Sequence, residues 1–172
     1  MPTTLTSASQ VRSSRDQAIA KAKAGDLAQS LSICEQIIRD SPQNSIGLRT
    51  LADCYEIAGD KVEACRQLRL SIDLGIALVA DHCKLGYWLI DLGEYGEAVR
   101  NAESALGLAD DDELAYFGES LKMQAGYAAL RAGDAAVARA YAEQCAADAE
   151  EYFSGVGLLS RDRILVEASR LP

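Results

Sequence analysis

Residues 85–100 read Leu-Gly-Tyr-Trp-Leu-Ile-Asp-Leu-Gly-Glu-Tyr-Gly-Glu-Ala-Val-Arg, and they form the middle of the stretch, residues 78–112, that decides the fold. The central glycine, Gly93, separates two halves that each have helical periodicity. Apolar residues recur at steps of three and four in each half: Leu85, Leu89 and Leu92 before the glycine, and Ala98, Ala102 and Ala105 after it. The pattern predicts two helices joined by a glycine turn.

The same unit recurs along the chain. A glycine followed by an acidic residue occurs at Gly25, Gly59, Gly93 and Gly133, with spacings of 34, 34 and 40 residues. One helix pair cannot bury its own apolar stripes, so a repeat of this period predicts stacked helix pairs. The helices are predicted at residues 9–24 and 27–40, 45–58 and 61–74, and 77–92 and 95–108.

The six extra residues before Gly133 are assigned to the first helix of the fourth repeat. They add about 9 Å of helix, so this helix is expected to extend past its neighbours. The acidic run Asp110-Asp111-Asp112 suits its cap and first turn. Residues 1–9 are predicted to be a mobile arm, residues 10–153 the repeat domain, and residues 158–172 a helix that caps the open end.

Composition narrows the classes of function. The chain has 172 residues, of which 49% are apolar and 6% aromatic, as expected for one all-α domain. Its net charge of -9 disfavours nucleic acid and anionic membranes as partners. No stretch has the length of a signal peptide core or a membrane span, so a cytoplasmic protein is expected. The five cysteines include no Cys-x-x-Cys pair and are interpreted as free, structural thiols.

The residues around each glycine resemble the tetratricopeptide repeat (TPR) family over about residues 11–150. A small residue lies seven positions before each glycine and another lies five positions after it, and Leu51, Leu85, Tyr55 and Pro42 match further sites of the motif. The small residues are Ala18, Ala52, Gly86 and Gly126, then Ser30, Ala64, Ala98 and Ala138. The resemblance implies an all-α, right-handed superhelical solenoid of about four TPR-like antiparallel helix pairs.

In this family the first helix of each pair lines a concave groove that binds a peptide or a partner protein. The resemblance assigns the groove positions to Arg12, Arg15, Ile19, Lys23, Ile46, Arg49, Asp53, Glu56, Cys83, Tyr87, Ile90, Asp91, Met123, Tyr127, Leu130 and Arg131. One end of this groove is basic and the other is apolar and aromatic. Tyrosine and methionine suit binding surfaces, which favours the binding interpretation. The alternative is that Tyr87, Ile90, Tyr127 and Leu130 pack against neighbouring helices.

The arginines leave two interpretations open. Arg12, Arg15, Lys23 and Arg49 either steer an acidic partner or are ordinary solvated charges. A family groove that grips the C-terminal carboxylate of heat-shock chaperones needs amides where this chain has Ile19 and Asp53. A groove that grips a C-terminal carboxylate in this way is therefore disfavoured.

Catalysis is not expected. His82, the only histidine, falls at a packing position, and residues 110–113 lack the ligand spacing of a calcium loop. No metal, cofactor or phosphate loop is predicted. The sequence therefore predicts a non-enzymatic protein-interaction module, an adaptor or assembly factor. The alternatives are a bacterial type III secretion chaperone and a self-associating scaffold, in which the long helix near Leu114, Tyr116 and Phe117 forms a homodimer.

Overall fold

The computed structural model describes residues 8–171. The predicted arm covers residues 1–7, which lie outside the described residues, and residues 8 and 9, which belong to the first helix. Within the described range the chain forms two compact units, here called the N-terminal unit (residues 8–78) and the C-terminal unit (residues 79–171).

The N-terminal unit contains four helices. These are α1 (Ala8–Lys23), α2 (Leu27–Asp40), α3 (Ile46–Ile57) and α4 (Lys61–Asp73). Helix α1 packs on α2 and α3, and α3 packs on α4, as expected for two successive helix pairs. Ala18, Ala52 and Ala64 are fully buried, so the small residues of the motif lie where helices approach each other.

The C-terminal unit contains five helices and one hairpin. These are α5 (Val79–Asp91), α6 (Tyr95–Leu108), α7 (Asp111–Ala132), α8 (Ala135–Glu143), β1 (Glu150–Phe153), β2 (Gly157–Ser160) and α9 (Arg161–Ala168). Strands β1 and β2 are antiparallel, with Tyr152 opposite Leu158 and Phe153 opposite Gly157. The predicted helix pairs are confirmed, and the resemblance correctly indicated the fold of the repeats.

Glycine turns separate the helices of each pair, as predicted. Gly93 and Gly133 have φ angles of +77° and +84°, a conformation that glycine adopts without strain. After Gly133 the next residue caps the following helix, since the carboxylate of Asp134 accepts a hydrogen bond from the Val137 amide at 3.0 Å. Asp26 and Asp60 cap α2 and α4 in the same way. The repeated Gly-Asp pair therefore ends one helix and begins the next.

Helix α7 has the extra length that the glycine spacing indicated. It runs for 22 residues, against 13 in α5. Its first turn is a capping box, because Asp110 accepts from the Glu113 amide at 2.9 Å and Glu113 accepts from the Asp110 amide at 3.2 Å. Capping therefore explains the acidic run.

The sequence prediction differs from the structure after α8. The last helix pair was expected to reach Phe153, but α8 ends at Glu143 and residues 150–160 form the hairpin. The predicted capping helix is also shorter, since residues 158–160 belong to β2. Helix α9 packs on α7 and α8 and buries Ile164 and Ala168. The signal for the hairpin was present, because 150–160 contains two short runs separated by Ser-Gly-Val.

Candidate partner-binding faces

The N-terminal unit exposes most of the charged residues predicted for its groove. Arg12, Arg15 and Lys23 on α1 are exposed, as is Glu56 on α3. Ile19, Ile46 and Arg49 are half-buried, and Asp53 is buried with 9% exposed. The surface of α1 and α3 that carries these eight residues is called the N-terminal face below. Four of the eight are basic and two are acidic, so the face is net positive on a protein of net charge -9.

Ile19 lies where the N-terminal face meets the core of its unit. It packs against a small core formed by Ala18, Ala22, Cys34 and Cys54, and no segment of the described N-terminal unit other than its four helices is available to cover it. A separate cavity of about 350 Å³ lies between α1 and α2 and is lined by Val11, Ser14, Ile33 and Asp40 among others. No pattern in the sequence indicated this cavity.

The corresponding positions of the C-terminal unit are mostly buried. Cys83 and Ile90 on α5 and Met123, Tyr127 and Leu130 on α7 are each no more than 7% exposed. Tyr87 is half-buried, and Asp91 and Arg131 are exposed. The apolar members of the predicted groove therefore lie in the interior of this unit, in agreement with the packing interpretation.

The hairpin covers the two tyrosines among these residues. The Phe153 ring lies 4.6 Å from the Tyr127 ring and 6.0 Å from the Tyr87 ring, measured between centroids. The Tyr87 hydroxyl is 3.1 Å from the Ser120 hydroxyl, which in turn donates to the Glu151 carboxylate. Cys83 is instead buried among residues of α6 and α7 such as Ala102 and Leu121. The face of α5 and α7 that carries the predicted groove residues is called the C-terminal face below, and the hairpin packs against its tyrosines.

Burial changes the chemistry of Tyr87. Loss of solvent around the phenol raises the pKa of Tyr87 to about 12, and the nearby Glu151 carboxylate adds to the effect. The neutral phenol is therefore favoured, which suits its hydrogen bond with Ser120.

One concavity remains beside the hairpin. It has a volume of about 400 Å³ and is lined by Tyr127, Arg131, Val156, Leu159, Arg163 and Glu167 among others. Arg131 donates to the Tyr127 hydroxyl at 2.9 Å, and its guanidinium lies 5.2 Å from the Tyr95 ring centroid. Arg163 is paired with Glu167 at 2.8 Å. Both arginines already have partners within the unit.

His82 has a structural role. It is 2% exposed, its Nδ1 is 2.9 Å from Asn101 Oδ1, and Asn101 donates back to the His82 carbonyl at 2.8 Å. This pairing joins α5 to α6. No helix within residues 8–171 has the length and apolar character needed to cross a membrane.

The helix pairs of this geometry occur in solved TPR-like repeat proteins. Two crystal structures of a candidate kinesin light chain from Podosopora anserina, with nearly identical TPR-like repeats, match this chain with TM-scores of 0.56 and 0.55. Each is 18% identical and covers 79% of this chain and 73% of its own. No protein-family model matches the sequence, and no curated protein matches it significantly. The likeness establishes the fold, which is that of TPR-like helical repeats.

Proposed function

We propose that this protein is a non-enzymatic interaction module, an adaptor or assembly factor, which holds an acidic segment of a partner protein on its N-terminal face. The observation that carries this proposal is the contrast in exposure. Arg12, Arg15 and Lys23 remain exposed, whereas most apolar positions of the C-terminal face are buried within their own unit. The open face is therefore the one offered to a partner.

The charge of the N-terminal face indicates the kind of partner. Basic residues concentrated on one surface of an acidic protein attract an acidic segment of a partner, and they repel a basic one. Ile19 and Ile46, both half-buried, supply apolar contact between the charges. An extended or helical segment with acidic residues around one apolar side chain would suit this face.

Photocrosslinking tests which face is used. A benzophenone amino acid replaces Lys23 on the N-terminal face or Val62, which is 63% exposed on α4. We expect a crosslinked partner from the native extract with the Lys23 probe and not with the Val62 probe. Equal capture at both positions would argue against a specific N-terminal face.

Calorimetry with the captured partner then tests the role of charge. Arg15→Glu should weaken binding by roughly tenfold at low salt, with a smaller loss at high salt because steering charges are screened. Arg39→Glu on α2 is the matched control, since Arg39 is also exposed and is not among the predicted groove residues. Equal losses in the two variants would show that only the total charge matters.

A second candidate function is self-association, because the end of α6 and the start of α7 expose apolar side chains. Tyr116 is 80% exposed, Leu108 is 66% exposed and Leu114 is 38% exposed, whereas Phe117 packs against the core of the C-terminal unit. Sedimentation against concentration tests this candidate. A dimer that Tyr116→Ser dissociates and Tyr152→Ser does not would favour the scaffold, and a monomer at all concentrations would exclude it.

A further inference from the structure

The N-terminal unit holds two cysteines in direct contact. Cys34 on α2 and Cys54 on α3 are 20 positions apart in sequence, and their Sγ atoms are 3.8 Å apart. Both side chains are fully buried. They therefore meet across the boundary between the first helix pair and the second.

We propose that Cys34 and Cys54 are a redox-active thiol pair that forms a reversible disulfide, which links α2 to α3. A disulfide has an S–S length of about 2.05 Å, so the two sulfur atoms must approach by about 1.8 Å, a movement within reach of side-chain rotation. The helices already pack closely, since a Cβ atom at Gly47 on α3 would lie 2.6 Å from Cγ1 of Ile38 on α2.

The reaction uses hydrogen peroxide as the oxidant. The thiolate of one cysteine of the pair attacks one peroxide oxygen, the O–O bond breaks, and the sulfenic acid forms as hydroxide leaves and takes up a proton to become water. The sulfur of the other cysteine then attacks the sulfenic sulfur, the S–O bond breaks, and a second water leaves with the proton of that second thiol. Two thiols and one peroxide thus give one disulfide and two waters. A dithiol reductant reverses the change.

The contact between the sulfurs favours the loss of a proton from one thiol at a time. Either sulfur can be the donor, and a hydrogen bond from one thiol stabilises the thiolate of the other, although burial opposes ionisation of both. Either cysteine can therefore be the attacking thiol, with the other as the resolving one.

Helix α1 controls access to the pair. The two sulfurs share a small core with Ala18 and Ala22 of α1. Although α1 has 16 residues, it buries only Val11, Ala18 and Ala22 in full, so little apolar surface holds it in place. Local opening of α1 is expected to require less free energy than unfolding of the whole unit, and it would admit peroxide to the thiols.

Peptide mapping of the wild-type chain tests the disulfide without any substitution. The reduced protein is treated with peroxide, alkylated and digested with trypsin, which releases Cys34 in residues 24–39 and Cys54 in residues 50–61. We expect these two peptides joined, with a mass two hydrogen atoms below their sum, and separated again by dithiothreitol. Cys34 and Cys54 recovered as alkylated thiols, or linked mainly to the peptides of Cys65 or Cys145, would overturn the proposal.

Thermal unfolding gives a second readout. Closing a loop of this length should raise the unfolding midpoint of the oxidised protein by roughly 5 °C or more. Cys145→Ser should keep this shift, and Cys54→Ser should abolish it. The same shift in Cys54→Ser would mean that peroxide acts elsewhere.

Glycine substitutions test the role of α1. Ala20→Gly lies at an exposed position of α1 and should speed disulfide formation about fivefold by favouring local opening. The matched control is Ala140→Gly, at an exposed position of α8 in the C-terminal unit, which should leave the rate unchanged. Equal rates in the two variants would overturn the control of access by α1.

Discussion

The N-terminal and C-terminal units are built from the same repeat, but they use the first helices of that repeat differently. In the N-terminal unit the predicted groove positions carry Arg12, Arg15 and Lys23, which remain exposed. In the C-terminal unit Met123 has the position of Arg15, ten residues before the glycine, and it is buried, as is Tyr127, which packs against Phe153 of the hairpin. The position of Arg15 and Met123 in the repeat is thus surface in one unit and core in the other.

This difference shows that the position of a residue within the repeat determines the direction in which its side chain points. It does not determine how much of that side chain is exposed to solvent. Exposure depends on whether another segment covers the face. Charged residues at these positions accompany the open face, and apolar residues accompany the covered one, as the free energy of burial requires. The chemical type of a residue was therefore the better guide to its exposure.

The largest expected effect comes from removing the hairpin and α9. A chain ending at residue 149 would uncover Tyr87 and Tyr127 and the parts of α7 and α8 that α9 packs against, and we expect loss of cooperative unfolding in this unit and binding of a hydrophobic dye. Removal of residues 170–172 alone is the control, and it should have little effect. A stable, soluble 1–149 chain would mean that burial by the hairpin does not account for the difference between the units.

Phe153→Ala should have the next largest effect. Phe153 is 1% exposed and packs against Tyr87 and Tyr127, so the substitution should lower the free energy of unfolding by about 3–5 kcal/mol, measured by urea titration. Tyr152→Ala in the same strand removes a side chain that is 65% exposed and should cost under about 0.5 kcal/mol. Equal costs for the two would contradict the assignment of the inner and outer sides of the hairpin.

A pair of glycine substitutions tests close packing within the C-terminal unit. A Cβ atom at Gly86 would lie 2.0 Å from Oε1 of the buried Gln124, so Gly86→Ala should destabilise the unit by about 1–3 kcal/mol. At Gly126 the nearest atom would be 3.5 Å away, and Gly126→Ala should be neutral or stabilising because alanine favours helix. Adding Gln124→Ala should relieve part of the cost of Gly86→Ala. Similar melting temperatures for the two alanine variants would contradict the described contact.

The smallest expected effect is a dependence on alkaline pH. Burial raises the pKa of Tyr87 and Tyr141 to about 12, above the ordinary tyrosine value of about 10, and the Glu103 carboxylate contributes at Tyr141. The folded state therefore favours the protonated phenols. Their contribution to stability is fully present below about pH 10 and is lost as the pH rises toward 12.

In urea titrations across this range, Tyr87→Phe should reduce the loss of stability, whereas Tyr116→Phe, at a residue 80% exposed, should not. Equal slopes in wild type and Tyr87→Phe would exclude this contribution.

The sequence alone determined helices α1 to α7 and the turns between them. Local signals carry this information: glycine at Gly93 and Gly133 permits the turn, Asp134 caps the helix after Gly133, and small residues such as Ala98 permit close packing. The 40-residue spacing likewise determined the length of α7. Each of these signals acts within one or two turns of helix, so the sequence suffices to read it.

The tertiary structure alone decided which face is open. Tyr127 is buried because Phe153, 26 positions later in the chain, packs against its ring, and the contact between Cys34 and Cys54 likewise joins residues that are distant in sequence. No local pattern specifies such pairs, since they depend on how the intervening helices and hairpin return the chain to the same place. The free energy of burying apolar surface then determines which residues stay exposed and can contact a partner.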